Sequence, residues 1–212
     1  MKKIKKATSI IEAIIMILII TIWIVGLFNI YNSSIKVANS TKNKIQAIEI
    51  AREWIEAMEN IRNTNWQILW ADKDNCWNTF NYNNNCIWNN STTYDISPWM
   101  YKIYNQNWRW KLLKASSSLT TKNYKDPNYR NFFRVKLDSN WFYTQSWWTN
   151  FKPIFTREIN ISYPEDTNSD WTQNSNDEKM NIHSIVMWTD WFWSWSAHIV
   201  DLEWMLTNWK KD

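Results

Sequence analysis

A long apolar segment directly follows a basic start at the amino end of this chain. Four lysines lie within the first six residues, and the segment from Ala13 to Phe28 contains no charged side chain. Its length approaches the roughly 20 residues with which a helix crosses the hydrocarbon core of a membrane. Such a chain does not fold as one soluble globule, because the apolar segment must be covered by lipid or by other apolar helices.

One carboxylate, that of Glu12, lies at the start of this segment. Placing a carboxylate in a membrane-spanning helix costs about 3 kcal/mol even on scales derived from insertion experiments. A residue with that cost is retained for a reason, so we expect Glu12 to have a function.

The run Ala7-Thr8-Ser9-Ile10-Ile11-Glu12, between lysines and an apolar helix, resembles the amino-terminal signal of type IV pilins and pseudopilins. The resemblance implies that a prepilin peptidase cuts between Ala7 and Thr8 and methylates the new amine, with residues 1–7 as leader. Family members usually have Gly before the cut and Phe after it, where this chain has Ala7 and Thr8. A secretory signal would instead be cut after its apolar core, and an ordinary signal anchor leaves Glu12 unexplained.

An amphipathic helix continues from the apolar segment. No proline occurs between residues 8 and 66, so we expect one helix there, roughly 80 Å long, with its membrane-spanning part at about residues 10–31. Its second half should pack on a head through an apolar stripe with spacings of three, four and seven, formed by Ile35, Ala38, Ile45, Ile48, Ile55, Met58 and Ile61.

Residues 67–212 are predicted to form a β-rich head. Six stretches favour strands, because they alternate apolar and polar residues or flank a turn signal: Met100–Tyr104, Arg109–Leu113, Phe132–Leu137, Ile154–Tyr163, Ile182–Trp188 and His198–Leu202. The Asn-rich stretch 75–93 is predicted to be a loop. The expected fold class is therefore α+β, with a long amino-terminal helix packed on an antiparallel sheet, as in pilins.

The chain has 19 tryptophans and a single glycine, whereas average usage of about 7% would give roughly fifteen glycines. Several tryptophans occupy places typical of glycine. Asn107-Trp108 separates the two strands of a predicted hairpin, where Asn-Gly is favoured, and Asn or Asp also precedes Trp141, Trp171 and Trp191. We interpret most of these tryptophans as glycines encoded by UGA in a bacterium that recodes this stop codon. The alternative is a tryptophan-rich surface, such as a carbohydrate reader.

The stretch from Ala51 to Trp66 also resembles minor-pilin-like proteins of small-genome bacteria, which have Gly at the position of Trp54. Trp66, Trp110, Trp188 and Trp209 are interpreted as genuine, because each lies in or beside an apolar or strand-like stretch and the relatives share Trp66 and Trp209. For Trp204, the sequence does not decide between a genuine tryptophan and a recoded glycine.

Cys76 and Cys86 are the only cysteines and are separated by nine residues. Outside the cytoplasm we expect a disulfide, which by loop-closure arguments is worth roughly 2–3 kcal/mol. The alternative is a pair of free thiols. No CxxC motif indicates metal binding or redox catalysis.

The stretch 166–177 resembles the start of an EF-hand-type calcium loop if Trp171 is glycine, because that position requires a sharp turn. Its last position carries Asp rather than the usual Glu. The alternative is a solvated acidic turn. Calcium is thus the only cofactor that the sequence suggests, with Asp166, Asn168, Asp170, Thr172 and Asp177 as ligands.

Enzymatic and nucleic-acid functions find little support in the sequence. His183 and His198 have no catalytic partner visible in sequence, and phosphate-loop, GxSxG and HExxH motifs are absent. The formal net charge of +4 falls to 0 once the four leader lysines are removed (4 − 4). The basic excess therefore indicates membrane topology, with the amino end in the cytoplasm, rather than nucleic-acid binding.

Three functions follow from these patterns. The first is a minor pilin or pseudopilin, processed by prepilin peptidase, inserted as a single-pass protein in the inner membrane and assembled from a membrane platform into a cell-surface filament. Its partners would be other pilin subunits, bound through the amino-terminal helix. The second is a pilus-tip adhesin or uptake module, and the third is an anchored extracellular domain without a filament.

Overall fold

A computed structural model describes residues 10–87, 95–120, 123–137, 143–145, 154–164, 179–189 and 197–208. It is an α+β fold, as the sequence predicts. The chain forms two compact units that divide between Lys44 and Ile45. Both units contain part of one helix, α1 (Ile10–Ile68). This helix ends two residues beyond the predicted boundary.

The first unit, as far as it is described, consists of the α1 residues up to Lys44. Every large apolar side chain from Ile10 to Phe28 is between 49% and 79% exposed. The helix is therefore apolar on all sides in this stretch, and none of the described residues of its own unit covers it.

In the second unit, α1 buries one face through Ala47, Ile50, Ala51, Trp54, Ala57, Met58, Ile61, Asn65 and Trp66. The predicted stripe was partly wrong. Met58 and Ile61 are buried, but Ile45 is 56% exposed and Ile35 is 41% exposed. The buried positions follow the 3.6-residue period through alanines, whose small side chains let the helix approach the sheet closely.

The head contains a five-stranded antiparallel sheet in the order β2-β1-β5-β6-β7. Its strands are β1 (Trp99–Gln106), β2 (Arg109–Lys114), β5 (Thr156–Ser162), β6 (Lys179–Trp188) and β7 (His198–Thr207). A separate pair joins β3 (Lys136–Leu137) to β4 (Tyr143–Thr144). A short helix, α2 (Lys73–Cys76), follows α1.

One stretch predicted as a strand begins as a helix. Residues 132 and 133 belong to α3 (Pro127–Phe133), and only residues 136 and 137 of the predicted strand pair as β3. The helix has clear local causes: Asp126 caps it by accepting from the backbone N–H of Asn128 and Tyr129, and Pro127 occupies its first turn.

The two faces of the sheet have different coverings. Against α1 lies the main core, in which side chains of the helix such as Met58 and Ile61 contact Ile103, Ile159 and Ile182 of three strands. On the opposite face, Tyr129 and Phe133 of α3 form a smaller cluster. Burial on both faces explains why the first four residues of β5 are all buried, whereas in β6 buried residues alternate with partly exposed ones as far as Ile185.

The predicted hairpin is present as β1 and β2, joined by Asn107 and Trp108. Both turn residues have positive φ, 53° and 63°, which is the requirement of the type I′ turn that Asn-Gly fills best. The one glycine of the chain, Gly26, lies in α1 and serves no turn. Trp108 is 97% exposed, so no packing of its side chain offsets the backbone strain.

Trp108→Gly should stabilise the head. A non-glycine residue in the left-handed region costs roughly 1–2 kcal/mol. Glycine also has more freedom in the unfolded chain, which reduces the gain in stability by about 0.4–1 kcal/mol. We expect a net gain of about 1 kcal/mol in the free energy of unfolding, measured by chemical denaturation of the full chain in detergent.

The matched control is Trp70→Gly. Trp70 is also largely exposed, at 75%, but has no positive φ, so glycine there should lower stability by roughly 0.5–1 kcal/mol. Equal losses in both variants would show that the turn does not favour glycine.

Candidate functional site

The first turn of α1 contains Glu12, the only charged residue between positions 10 and 35. Its side chain is exposed, and the large apolar side chains on either side of it are exposed as well. Residues 10–28 thus present one carboxylate on an otherwise apolar helix surface. Such a surface can pack against lipid or against other apolar helices, with the carboxylate as its single point of charge recognition.

The described residues contain one helix, α1, whose length and composition suit a membrane span. Two hydroxyls within and after its apolar stretch bond inside the helix: Thr21 donates to the Leu18 carbonyl at 2.8 Å and Ser34 to the Ile30 carbonyl at 2.9 Å. This local bonding lowers the cost of placing hydroxyls in an apolar environment.

Two predicted sites lie outside the described residues. They are the cleavage position at Ala7 and Thr8, and the calcium loop with Asp166, Asn168, Asp170, Thr172 and Asp177. Within the described part of the chain, no group of three or more His, Cys, Asp or Glu side chains could hold a metal ion.

Arg157 of β5 is buried between the sheet and α1, with 1% exposure. Its Nη1 donates to Oε2 of Glu53 at 2.7 Å and to the Ile50 carbonyl at 3.2 Å. Its guanidinium carbon lies 3.8 Å from the ring centroid of Trp54. Burial lowers the pKa of Arg157 to about 10, and the attraction of Glu53 opposes that shift, so Arg157 is charged at neutral pH.

Further polar contacts hold α1 in the head. Ser184 of β6 donates to the Ala51 carbonyl at 2.9 Å. The side-chain amide of Asn65 donates to the carbonyls of Trp77 and Thr79, at 3.2 and 2.7 Å. These bonds connect the helix to a central strand and to the loop that follows the helix.

Glu158 is buried on the opposite face of β5, where the hydroxyl of Tyr129 in α3 donates to its Oε2. Burial raises the pKa of Glu158; the Tyr129 hydrogen bond lowers it, and the nearby charge of Asp201 raises it further. The pKa of Tyr129 is also raised, by burial and by the adjacent carboxylate. This pair fastens α3 to the sheet, and sequence reasoning missed it.

Cys76 and Cys86 form a disulfide, with their Cα atoms 5.5 Å apart. The loop that it closes covers the β2 edge of the sheet. The Asn81 side chain bonds to both the N–H and the carbonyl of Leu112, at 3.2 and 3.4 Å, and the Tyr82 hydroxyl donates to the Trp110 carbonyl at 2.9 Å. The loop therefore occupies backbone groups that a strand of another chain would otherwise pair with.

Between this loop and the hairpin lies an open cavity of about 400 Å³. It has two cationic side chains and otherwise polar or amphipathic ones, and is lined by Asn81, Tyr82, Gln106, Asn107, Arg109 and Lys111. The guanidinium of Arg109 lies 5.5 Å from the centroid of the Tyr82 ring.

His183 has carboxylate neighbours that the sequence did not reveal. Its Nδ1 lies 3.3 Å from the carboxylate of Asp201, and its Nε2 lies 3.8 Å from that of Glu203. The register of β6 on β7 brings them together. His198 stacks on Trp188 with ring centroids 5.2 Å apart, which is a packing role.

Comparison with protein-family models, with curated proteins and with solved structures finds no match. The geometry shows a pilin-like architecture, in which an apolar amino-terminal helix is continuous with the core helix of a disulfide-bonded antiparallel head.

Removing the buried carboxylate should change how stability depends on pH. Because the pKa of Glu158 is raised in the folded state, the folded protein retains a proton that the unfolded chain has lost, and stability falls as pH rises from about 4.5 through the raised pKa. The slope approaches about 1.4 kcal/mol per pH unit while only the folded state holds the proton. Glu158→Gln should remove this slope in denaturation curves recorded across that range.

Glu56→Gln is the control, since it removes an exposed carboxylate of α1 and should leave the slope in place. An unchanged slope in Glu158→Gln would mean that Glu158 titrates alike in the folded and unfolded chains.

Proposed function

We propose that this chain is a minor pilin or pseudopilin, a structural subunit of a type IV pilus or of a related secretion or DNA-uptake filament. The observation that supports this most is that the two halves of α1 have different surfaces. Residues 10–28 expose apolar side chains all round with Glu12 as their single charge, whereas residues 47–66 supply the buried face of an antiparallel head. The first half of such a helix can pack against the helices of other subunits, and its second half joins it to the head.

Processing would supply a cationic partner for Glu12. Cleavage between Ala7 and Thr8 by prepilin peptidase leaves a positively charged amine on Thr8. A neighbouring subunit staggered along the filament could bring that amine within hydrogen-bonding reach of Glu12. An uncut precursor has no amine there, so only processed subunits would neutralise the carboxylate of a neighbour.

The charged pair matters because the apolar surface alone does not favour assembly. Lipid tails are as apolar as isoleucine or leucine side chains, so helices gain little hydrophobic free energy by leaving lipid for one another. Packing between helices and interhelical polar contacts remain as driving forces, and Glu12 is the one ionisable group in the segment that can make such a contact.

The topology proposed for the subunit follows from charge and redox chemistry. The leader lysines would retain the amino end in the cytoplasm. The disulfide between Cys76 and Cys86 suggests an extracytoplasmic head, because such bonds persist in oxidising compartments. The subunit would then move from the inner membrane, through prepilin peptidase and an assembly platform, to the cell surface.

A tip adhesin is the second candidate, and the cavity beside the hairpin favours it. Arg109 and Lys111 place two cations among hydrogen-bonding side chains there, which suits an anionic ligand. This role would use the same anchor and the same processing.

We also propose that the native protein carries glycine at most of its tryptophan positions. The positive φ of Trp108 supports this, because Asn-Gly is the natural filling of its turn. Trp66 and Trp188 are buried and Trp110 packs against the main core, but Trp54 is equally buried, so burial does not separate the tryptophans interpreted as genuine from the others.

Peptide masses from the native organism should show Gly at Trp54, Trp108, Trp141 and Trp171, and Trp at position 66. The genomic codons provide the same test, with UGA expected at the recoded positions and UGG at the genuine ones. Tryptophan at most of the four positions would contradict recoding.

Glu12→Ala should lower incorporation into filaments without preventing membrane insertion or head folding. Losing a charged hydrogen bond of about 1.5–3 kcal/mol should reduce incorporation by roughly tenfold or more. The measurement compares the variant protein in sheared surface fibres with that left in the membrane of the same cells.

Glu49→Ala is the matched control, because it removes an exposed carboxylate from the head part of α1 and should incorporate normally. Intact masses report whether both variants have lost residues 1–7. Equal incorporation of correctly processed Glu12→Ala and Glu49→Ala would reduce the chain to an anchored extracellular domain.

A further inference from the structure

The outer side of β7 is an edge of the five-stranded sheet. β7 has ten residues and pairs along its whole length with β6. Two hydrogen bonds show which backbone groups of β7 point away from β6. The Thr207 carbonyl accepts from Arg62 rather than from β6. The Phe155 carbonyl, next to β5, accepts from the Val135 N–H on the side of β5 that faces away from β6, and the alternation continued through β5 and β6 gives the same result for β7. Because backbone groups alternate in antiparallel ladders, outward N–H and C=O groups belong to Ile199, Asp201, Glu203 and Met205.

These four residues have no backbone partner on the outer side among the described residues. The opposite edge of the sheet is different, because side chains of Asn81 and Tyr82 bond to the outward backbone groups of β2. Exposed edges are normally blocked against pairing with other chains. This head blocks one edge with a disulfide-closed loop and leaves at least eight backbone groups of the other open within the described part.

The side chains along the open edge define what can pair with it. Asp201 and Glu203 have side-chain exposures of 46% and 61%. Ile199 and Met205 flank them, and are 61% and 47% exposed. All four side chains lie on the same face of the sheet, since they alternate with the residues that face α1. The edge therefore presents two carboxylates between two apolar side chains.

A second copy of β7 fits this edge poorly. Outward-pointing residues must face outward-pointing residues across a two-fold antiparallel pairing. The two registers of greatest overlap place Asp201 opposite Glu203 in one case and Glu203 opposite Glu203 in the other. Like charges directly opposite each other destabilise strand pairing, so the edge disfavours its own copy and favours a strand of opposite charge.

We infer that β7 accepts an extended segment of a partner protein as an added sixth strand, and that this segment carries lysine or arginine at alternate positions. Main-chain hydrogen bonds to the four outward residues supply affinity, and cross-strand pairs with Asp201 and Glu203 supply specificity. The β7 edge could bind such a strand whether the chain is a filament subunit or an anchored domain, so the inference is independent of the filament proposal.

The test uses the full chain in detergent with a synthetic peptide of the length of β7 that alternates lysine with threonine. Amide hydrogen exchange, resolved by residue, is the readout. In the free protein the amides of residues 199, 201, 203 and 205 should exchange quickly, and those of residues 200, 202, 204 and 206 slowly, because the latter bond to β6. Saturating peptide should slow the first set by roughly tenfold or more and leave the second unchanged.

Two matched peptides separate strand addition from simple charge attraction. A glutamate–threonine peptide should not bind, and a lysine–threonine peptide with an N-methylated backbone should lose binding while keeping its charge. The double variant Asp201→Asn/Glu203→Gln should weaken binding by roughly fivefold. Its control, Glu49→Gln/Glu56→Gln, removes two exposed carboxylates from α1 and should bind normally.

Three results would overturn the inference. Slow exchange at residues 199, 201, 203 and 205 in the free protein would mean that the folded chain already covers this edge. Equal binding of the N-methylated peptide would mean that charge alone attracts it. Absence of binding by the lysine–threonine peptide would mean that the edge does not accept a basic strand.

Discussion

The position of α1 on the sheet depends on the guanidinium of Arg157, which is buried between them. Apolar contacts have no direction, so the surrounding core specifies the register of the helix only weakly. A buried guanidinium needs acceptors at fixed places, and the Glu53 carboxylate and Ile50 carbonyl provide them. Loss of Glu53 would leave a buried charge uncompensated, at about 3–5 kcal/mol. The pair therefore selects the turn of α1 that meets β5.

The same helix meets a different requirement in residues 10–28. Near Arg157 a buried face alternates with exposed charges such as Glu49 and Glu56, which is how a helix lies between a core and water. From Ile10 to Phe28 there is no polar face for water to cover. Only lipid or other apolar helices suit that surface, and in either setting Glu12 is costly without a cation. The proposed need for a partner thus follows from the helix surface itself.

Sequence reasoning succeeded where local signals sufficed and failed where tertiary register decided. The hairpin was predictable from Asn107 and Trp108, and β5, β6 and β7 from their alternation. The α3 helix was missed because its apolar residues also fit an alternating strand, although Asp126-Pro127 is a helix-start signal. The contacts of Arg157 with Glu53, and of His183 with Asp201, depend on strand register and helix docking. The spacing of Arg157 with Ile159 and Ile161 could have indicated a buried arginine on the helix-facing side of β5.

Trp54 and Trp108 show what a structure can decide about glycine. At Trp108 the backbone has positive φ, which favours glycine whatever the side chain does. At Trp54 the backbone is helical, and the indole is buried beneath Arg157. Neither Nε1 of Trp54 nor Nε of Arg157 has an acceptor among the described residues. Glycine at position 54 would open a space beside the guanidinium, and a water there could satisfy Arg157 as the indole does not. Position 54 therefore accommodates either tryptophan or glycine, whereas the positive φ at position 108 favours glycine.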